Sequence, residues 1–129
     1  MEKQRAERNR TLTVTPEEYK HYLQKLITSE SFSSFSIPAV NNTLLLGDFF
    51  TTISKLPPHS VDLLIADPPY NLTKNYHGNK FNARSDHIYK DFTRDWISSC
   101  IPILKDDASI YVCCDWKSSS VIYDVLKAF

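Results

Sequence analysis

Val61-Asp62-Leu63-Leu64-Ile65-Ala66-Asp67-Pro68-Pro69-Tyr70 is the stretch on which the reading of this chain turns. Its first six residues form a short, mostly aliphatic run, bounded by Pro57-Pro58 on one side and Pro68-Pro69 on the other. That pattern predicts a buried strand. The tetrad Asp67-Pro68-Pro69-Tyr70 then falls at the strand's carboxyl end. There it sets a carboxylate, two rigid prolines and an aromatic ring at the edge where open α/β sheets bind ligands.

These residue types suit one chemistry. An exocyclic amino group on a base is a poor nucleophile, because its lone pair is delocalised into the ring. It needs acceptors that hold it in line with an electrophile. An ionised carboxylate accepts and does not donate. A proline carbonyl sits on a backbone whose φ is locked, and a residue before proline is held extended. Asp67 and the Pro68 carbonyl therefore form a fixed acceptor pair, an electrostatic preorganisation. Tyr70 offers a ring face on which a flipped base can stack. Asp and Pro also favour plain turns, so the tetrad taken alone fits a strand-ending turn better than a catalytic one. The aliphatic strand before it, and Leu44-Leu45-Leu46-Gly47-Asp48 upstream, weigh for chemistry.

Together these stretches resemble the amino-methylating DNA methyltransferases that use S-adenosylmethionine, and within them the site-specific adenine enzymes. The resemblance covers roughly residues 43–129. It implies an α/β, Rossmann-like S-adenosylmethionine-dependent methyltransferase fold, a mostly parallel sheet with flanking helices, incomplete in this chain. It implies S-adenosylmethionine as cofactor, double-stranded DNA as partner, and methylation of adenine N6 in a restriction-modification setting. By the same resemblance Asp67, Pro68, Pro69 and Tyr70 are catalytic, and Asp48 and Asp67 bind cofactor, Asp48 beside its adenosine half. Asp48 also suits the N-cap of a short helix beginning at Phe49. Asp67 at the first tetrad position favours adenine over cytosine N4, since permuted cytosine enzymes commonly have Ser there. Cytosine-N4 methylation and a non-catalytic fragment stand as the alternatives.

Length and composition are compatible with this. The 129 residues suffice for one domain with a modest core, and 42% are hydrophobic, a globular proportion. A net charge of +0 gives no global field toward nucleic acid. Locally, Asn71 to Arg84 carries Lys74, Lys80 and Arg84 with no acid, interleaved with Tyr76, His77 and Phe81. A loop of this kind suits DNA phosphates, or is simply solvated. The first ten residues read as a frayed end. No apolar run reaches about eighteen residues, and no apolar core follows Met1, which predicts neither a membrane span nor a signal peptide. Cys100, Cys113 and Cys114 lack the number and spacing for a disulfide framework or a zinc site. They read as small core residues in a reducing, bacterial cytoplasmic setting. His21, His59, His77 and His87 show no ligand spacing, so no metal is assigned.

Glycine is scarce: only Gly47 and Gly78 occur, where average usage gives about nine. The Gly-rich turn of cofactor-binding α/β domains is therefore missing on both sides of Asp67. The resembled family has a permuted order in which that turn lies downstream of the tetrad. This order, with the C-terminal part missing and the chain stopping inside a helix, is the expected architecture. Three strands would leave a sheet edge open to association with a second copy.

Along the chain, Thr15-Pro16-Glu17-Glu18 predicts a capped helix carrying Tyr19, Tyr22, Leu23, Leu26 and Ile27 at helical spacing. Ser29 to Asn42 reads as a Ser/Asn-rich linker. Residues 1–42 thus form an accessory segment and 43–129 the part of the domain that bears the tetrad. Within the latter, Thr43 to Leu46 is a short strand and Phe49 to Leu56 a helical turn. A helix follows Ser85-Asp86, with Tyr89, Phe92, Trp96 and Cys100 on one face, and Pro102 and Lys105-Asp106-Asp107 end it. Ser109 to Cys114 is a third strand. A final helix after Asp115-Trp116-Lys117 turns Val121, Ile122, Val125 and Leu126 inward, with Trp116 read as core. Alternating strands and helices argue for a parallel sheet.

Overall fold

The computed structural model describes residues 14–31, 33–36, 41–76 and 79–129. The expected frayed terminus, much of the expected linker, and His77 lie outside them. In chain order the elements are α1 (Pro16–Leu23), β1 (Ile27–Thr28), β2 (Leu45–Leu46), α2 (Phe49–Ile53), β3 (Val61–Ala66), β4 (Lys74–Tyr76), β5 (Asn79–Phe81), α3 (Asp86–Cys100), β6 (Leu104–Val112) and α4 (Trp116–Leu126).

The helix starts follow from side-chain caps. Thr15 accepts from the Glu18 amide at 3.2 Å, and Glu18 accepts from the Thr15 amide at 2.9 Å, closing the box that the sequence predicts. Ser85 caps α3 and Asp115 caps α4 through the amides of Ile88 and Ser118. α1 stops at Leu23, and Ile27, expected on its apolar face, is in β1 instead.

β3 has the predicted bounds, and it pairs in parallel with β6, Leu64 opposite Ile110 and Ala66 opposite Val112. The chain between them passes through the β4–β5 hairpin and α3, a strand–helix–strand crossover. Its inner face, with Val61, Leu64, Ala66 and Val112, packs on a core of Ile53, Trp96, Ile97, Cys100, Ile103 and Val125. α3 supplies three of these six, so it is the main wall behind β3. Each such side chain contributes about 1.5–3 kcal/mol by burial.

Several expectations are corrected. β3 is buried on one face only: Leu63 and Ile65 are 50% and 68% exposed, beside Tyr111 at 65%. Side chains alternate along a strand, and among the described residues nothing covers the second face. β2 pairs with β1 and not with β3, so the described strands form three two-stranded sheets, two of them parallel. α3 ends at Cys100, followed by a 3-10 turn at Ile101–Ile103. Lys105, Asp106 and Asp107 already belong to β6, where the Lys105 ammonium pairs with Asp62 on β3. Because β6 starts five residues early and ends at Val112, Cys113 and Cys114 follow the strand and are exposed, not core; only Cys100 is buried. The loop expected after the tetrad is the antiparallel hairpin β4–β5. In the sequence the two strands are separated by the two residues His77-Gly78, a spacing that signals a hairpin. α4 closes at Leu126 with Lys127 as its C-cap, so the helix ends before Phe129. Around the expected linker, Ser29 and Phe35 are buried, and the Phe35 amide donates to Lys55 at 2.8 Å.

One-sided burial of β3 has a measurable consequence. Ile97→Ala in the α3 wall should lower the unfolding free energy by about 2–5 kcal/mol. Ile65→Ala on the open face should cost less than about 1 kcal/mol. Urea unfolding of both variants checks this, and equal costs would mean that the outer face is covered in solution.

Candidate active site at the carboxyl edge of β3

The β3–β6 ladder carries one residue past β6, where the Cys113 amide donates to the Ala66 carbonyl at 2.8 Å. The chain then leaves the sheet as Asp67-Pro68-Pro69-Tyr70, with Asp67 exposed and the other three half-buried. The Tyr70 hydroxyl donates to Asp67 Oδ1 at 3.1 Å. That bond, with burial and the carboxylate's negative charge, raises the phenol above its ordinary range, so Tyr70 is neutral at physiological pH. Among the described residues nothing donates to the Pro68 carbonyl. The segment after the tetrad is tied back on itself. The Asn71 side chain bonds both the amide and the carbonyl of Arg84, at 2.8 and 2.9 Å, and Thr73 Oγ1 accepts from Ala83 at 3.1 Å.

Two cavities flank the tetrad and share Asp67, Pro68 and Pro69 as a common wall. The first, of about 450 Å³, is closed by Asp48, Phe49 and Phe50 from α2 and its cap, by the end of β3, and by Phe92, Trp96 and Cys100 of α3. It is an apolar chamber with Asp48 and Asp67 as its acids, and the indole N–H of Trp96 finds no partner among the described residues. The second, of about 430 Å³, is completed by Tyr70 and Lys74.

Asp48 fills the helix-capping role, its Oδ1 accepting from Thr51 at 3.0 Å, while it also stands in the wall of the first cavity. Gly47 is fixed by packing: a Cβ there would lie 2.0 Å from Ser29 Oγ and 2.7 Å from Thr52 Oγ1. Its lack of a side chain lets the β1 end approach α2.

The three cations expected to face DNA are not brought together. Lys74 reaches the second cavity. Lys74 is paired with Phe81 and Lys80 with Asn75, so the two lysines project from opposite faces of the hairpin. Arg84 lays its guanidinium over the rings of Phe81 and Phe92, at 5.2 and 5.7 Å. Trp116, expected in the core, is 81% exposed at the same sheet edge, with the Lys117 ammonium 5.4 Å from its ring. Its neighbour Asp115 caps α4, and the hydrogen bond from the Ser118 amide, at 2.7 Å, holds its carboxyl below the usual range. Among the described residues no group of three or more His, Cys, Asp or Glu is placed to hold a metal. No helix there is long and apolar enough to cross a membrane.

Sequence reading missed Tyr89 as a site residue. It reads as one more apolar position on α3, yet its hydroxyl donates to the Pro69 carbonyl at 3.3 Å. Nothing local signals a contact between residues twenty apart.

Comparison with known proteins places the site in context. The model of a family described as "DNA methylase" matches residues 61–129. The chain is 32% identical over 88 residues to the Type II methyltransferase M.HpaI of Haemophilus parainfluenzae, covering 68% of this chain and 28% of that protein. It is 37% identical over 70 residues to the DNA adenine methyltransferase YhdJ of Escherichia coli (strain K12), covering 54% of this chain and 24% of the relative. With the Type II methyltransferase M.BamHI of Bacillus amyloliquefaciens it shares 35% identity over 66 residues, 51% of this chain and 16% of the relative. The chain thus spans less than a third of the length of these relatives. The match over more than half of its residues is decisive, and the chain belongs to the DNA methylase family.

The site's thiols should divide by burial. Cys113 and Cys114 are exposed, whereas burial pushes the Cys100 thiol up to about 11. Brief treatment of the native protein with iodoacetamide, followed by peptide mass spectrometry, should label Cys113 and Cys114 and leave Cys100 unlabelled until urea is added. Fast native labelling of Cys100 would contradict the packing of α3 against β3.

Proposed function

We propose that this member of the DNA methylase family carries the catalytic turn of an adenine-N6 DNA methyltransferase. The observation that carries the reading is the pair of cavities divided by Asp67, Pro68 and Pro69. A methyl transfer needs the sulfonium methyl and the acceptor nitrogen in line and in contact, so that the N–C bond forms as the C–S bond breaks, and cavities that share Asp67, Pro68 and Pro69 can meet beside those hydrogen-bond acceptors.

The residues of the first cavity fit S-adenosylmethionine: aromatic and aliphatic walls for the adenosine, and the carboxylates of Asp48 and Asp67 for its polar and cationic groups. Bound there, S-adenosylmethionine supplies a methyl group on a sulfonium. The chain's own work is at the second cavity. Asp67 and the Pro68 carbonyl accept hydrogen bonds from the target amino group and keep its lone pair directed at the sulfonium methyl. The neutral Tyr70 ring closes that cavity and offers its face to an extruded base. Lys74 lines the same cavity, and we assign it a phosphate of the flipped nucleotide. Lys80 and Arg84 are assigned no contact, because one lies on the other hairpin face and the other is stacked on phenylalanines.

Adenine is the target we assign. Asp67 stands first in the tetrad, and the relative whose name states a base, YhdJ, states adenine.

Asp67→Ala should lower methyl transfer from labelled S-adenosylmethionine to a duplex by roughly two to three decades, about 3–4 kcal/mol, with DNA binding kept. Near-normal transfer by this variant would overturn the assignment. Tyr70→Phe should retain most activity while Tyr70→Ala loses the stacking of about 1–3 kcal/mol. The fluorescence of 2-aminopurine at the target base follows that loss, and identical behaviour of the two variants would refute a stacking role.

A further inference from the structure

The tetrad has few ways to move. Asp67 and Pro68 each precede a proline, so each is held extended. Pro68 and Pro69 have their φ locked by their rings. The first soft backbone torsion between Asp67 and Tyr70 is therefore the ψ of Pro69. This torsion sets the plane of the Pro69–Tyr70 peptide, and with it the direction in which Tyr70 leaves the turn.

The carbonyl of that peptide is the one Tyr89 holds. Tyr89 stands on α3 with 1% of its surface exposed, and its hydroxyl donates to Pro69 O at 3.3 Å. Its own position is fixed from behind. Thr93, fully buried one turn on, donates to the Tyr89 carbonyl at 2.7 Å, and the Phe92 ring lies 6.2 Å away. The Ser118 hydroxyl on α4 lies beside that of Tyr89, buried and with no hydrogen bond to any described residue. The buried Tyr89 hydroxyl thus ties α3 to the motif's backbone, at a desolvation cost that its hydrogen bonds offset.

We propose that Tyr89 is a positioning residue, whose hydroxyl sets the Pro69 peptide plane and so holds Tyr70 over Asp67. The proposal rests on the assignment of the tetrad as the methyl-transfer turn. The long O···O distance limits what the bond adds to stability, so its effect falls on orientation. Hydrogen bonds of this kind tighten in the loaded site. With the peptide plane held in this way, the Tyr70 hydroxyl reaches Asp67 Oδ1 at 3.1 Å.

Tyr89→Phe removes the donor and keeps the buried ring. We expect kcat for methyl transfer to drop about three- to tenfold, the scale of one hydrogen bond, with KM for DNA and for S-adenosylmethionine within about twofold of wild type. The carbonyl carbon-13 resonance of Pro69 should move upfield, as a carbonyl does on losing its donor. This readout needs no turnover. The 2-aminopurine signal of the flipped base should fall, since Tyr70 is no longer held. A purely structural Tyr89 would instead lower the melting temperature and leave the kcat-to-KM pattern and the Pro69 resonance unchanged, which would overturn the proposal. Tyr89→Leu, which also empties the ring volume, should add a loss of stability absent in the Phe variant. Asp67→Ala run in parallel separates the two ideas. If it retains activity, the turn itself is misassigned. If it is inactive while Tyr89→Phe matches wild type in kcat and in the Pro69 resonance, only the positioning role fails.

Discussion

The parallel pairing of β3 with β6 is the constraint on which the rest depends. Two strands nearly forty residues apart in sequence must lie side by side for Ala66 to face Val112 and for the Cys113 amide to reach the Ala66 carbonyl. That last bond marks where the sheet stops and the tetrad begins. Parallel strands cannot be joined by a tight turn, so the intervening chain must cross over. It does so as α3, which builds the wall behind β3 and brings Tyr89, Phe92, Trp96 and Cys100 to the same edge. One pairing thus sets the core, the first cavity and the buttress of the turn.

At that edge rigidity and charge work together. The prolines remove backbone freedom from a segment that leaves the sheet, where a loop would otherwise be mobile. Asp67 remains exposed and its oxygen is engaged by a neutral Tyr70. Covalent geometry thus restrains the backbone that carries the Pro68 carbonyl, while the Asp67 carboxylate is oriented by the Tyr70 hydroxyl. Asp67, Pro68 and Pro69 line both cavities, so the turn lies at the junction of the two.

Much of the fold was legible in the sequence where the signal is local. Thr15, Ser85 and Asp115 are caps because their side chains bond amides three residues on. β3 was legible in full because prolines bound it on both sides. The extent of β6 was not: Lys105-Asp106-Asp107 looks like a helix-ending polar run, and it is strand because Lys105 meets Asp62 across the ladder. Trp116 was misread for a related reason. An apolar type predicts burial only if its face of the helix meets something, and α4 turns Ile122 and Val125 inward and leaves Trp116 out. The basic residues after the tetrad were read as one patch, but a hairpin puts successive side chains on opposite faces and separates Lys74 from Lys80.

The sequence by itself determined the strand before the tetrad, the stiffness of the tetrad, the helix starts and the resemblance that names its chemistry. Each of these rests on residues within a few positions of one another, where propensity, proline geometry and capping act. Only the tertiary structure decided that β2 pairs with β1, that β3 is covered on one side, that Cys113 and Cys114 are exposed, and that Tyr89 holds the Pro69 carbonyl. These depend on which segments meet across the sheet and the helix layer. Contacts of that range are fixed by the packing of the whole chain, not by any stretch of it.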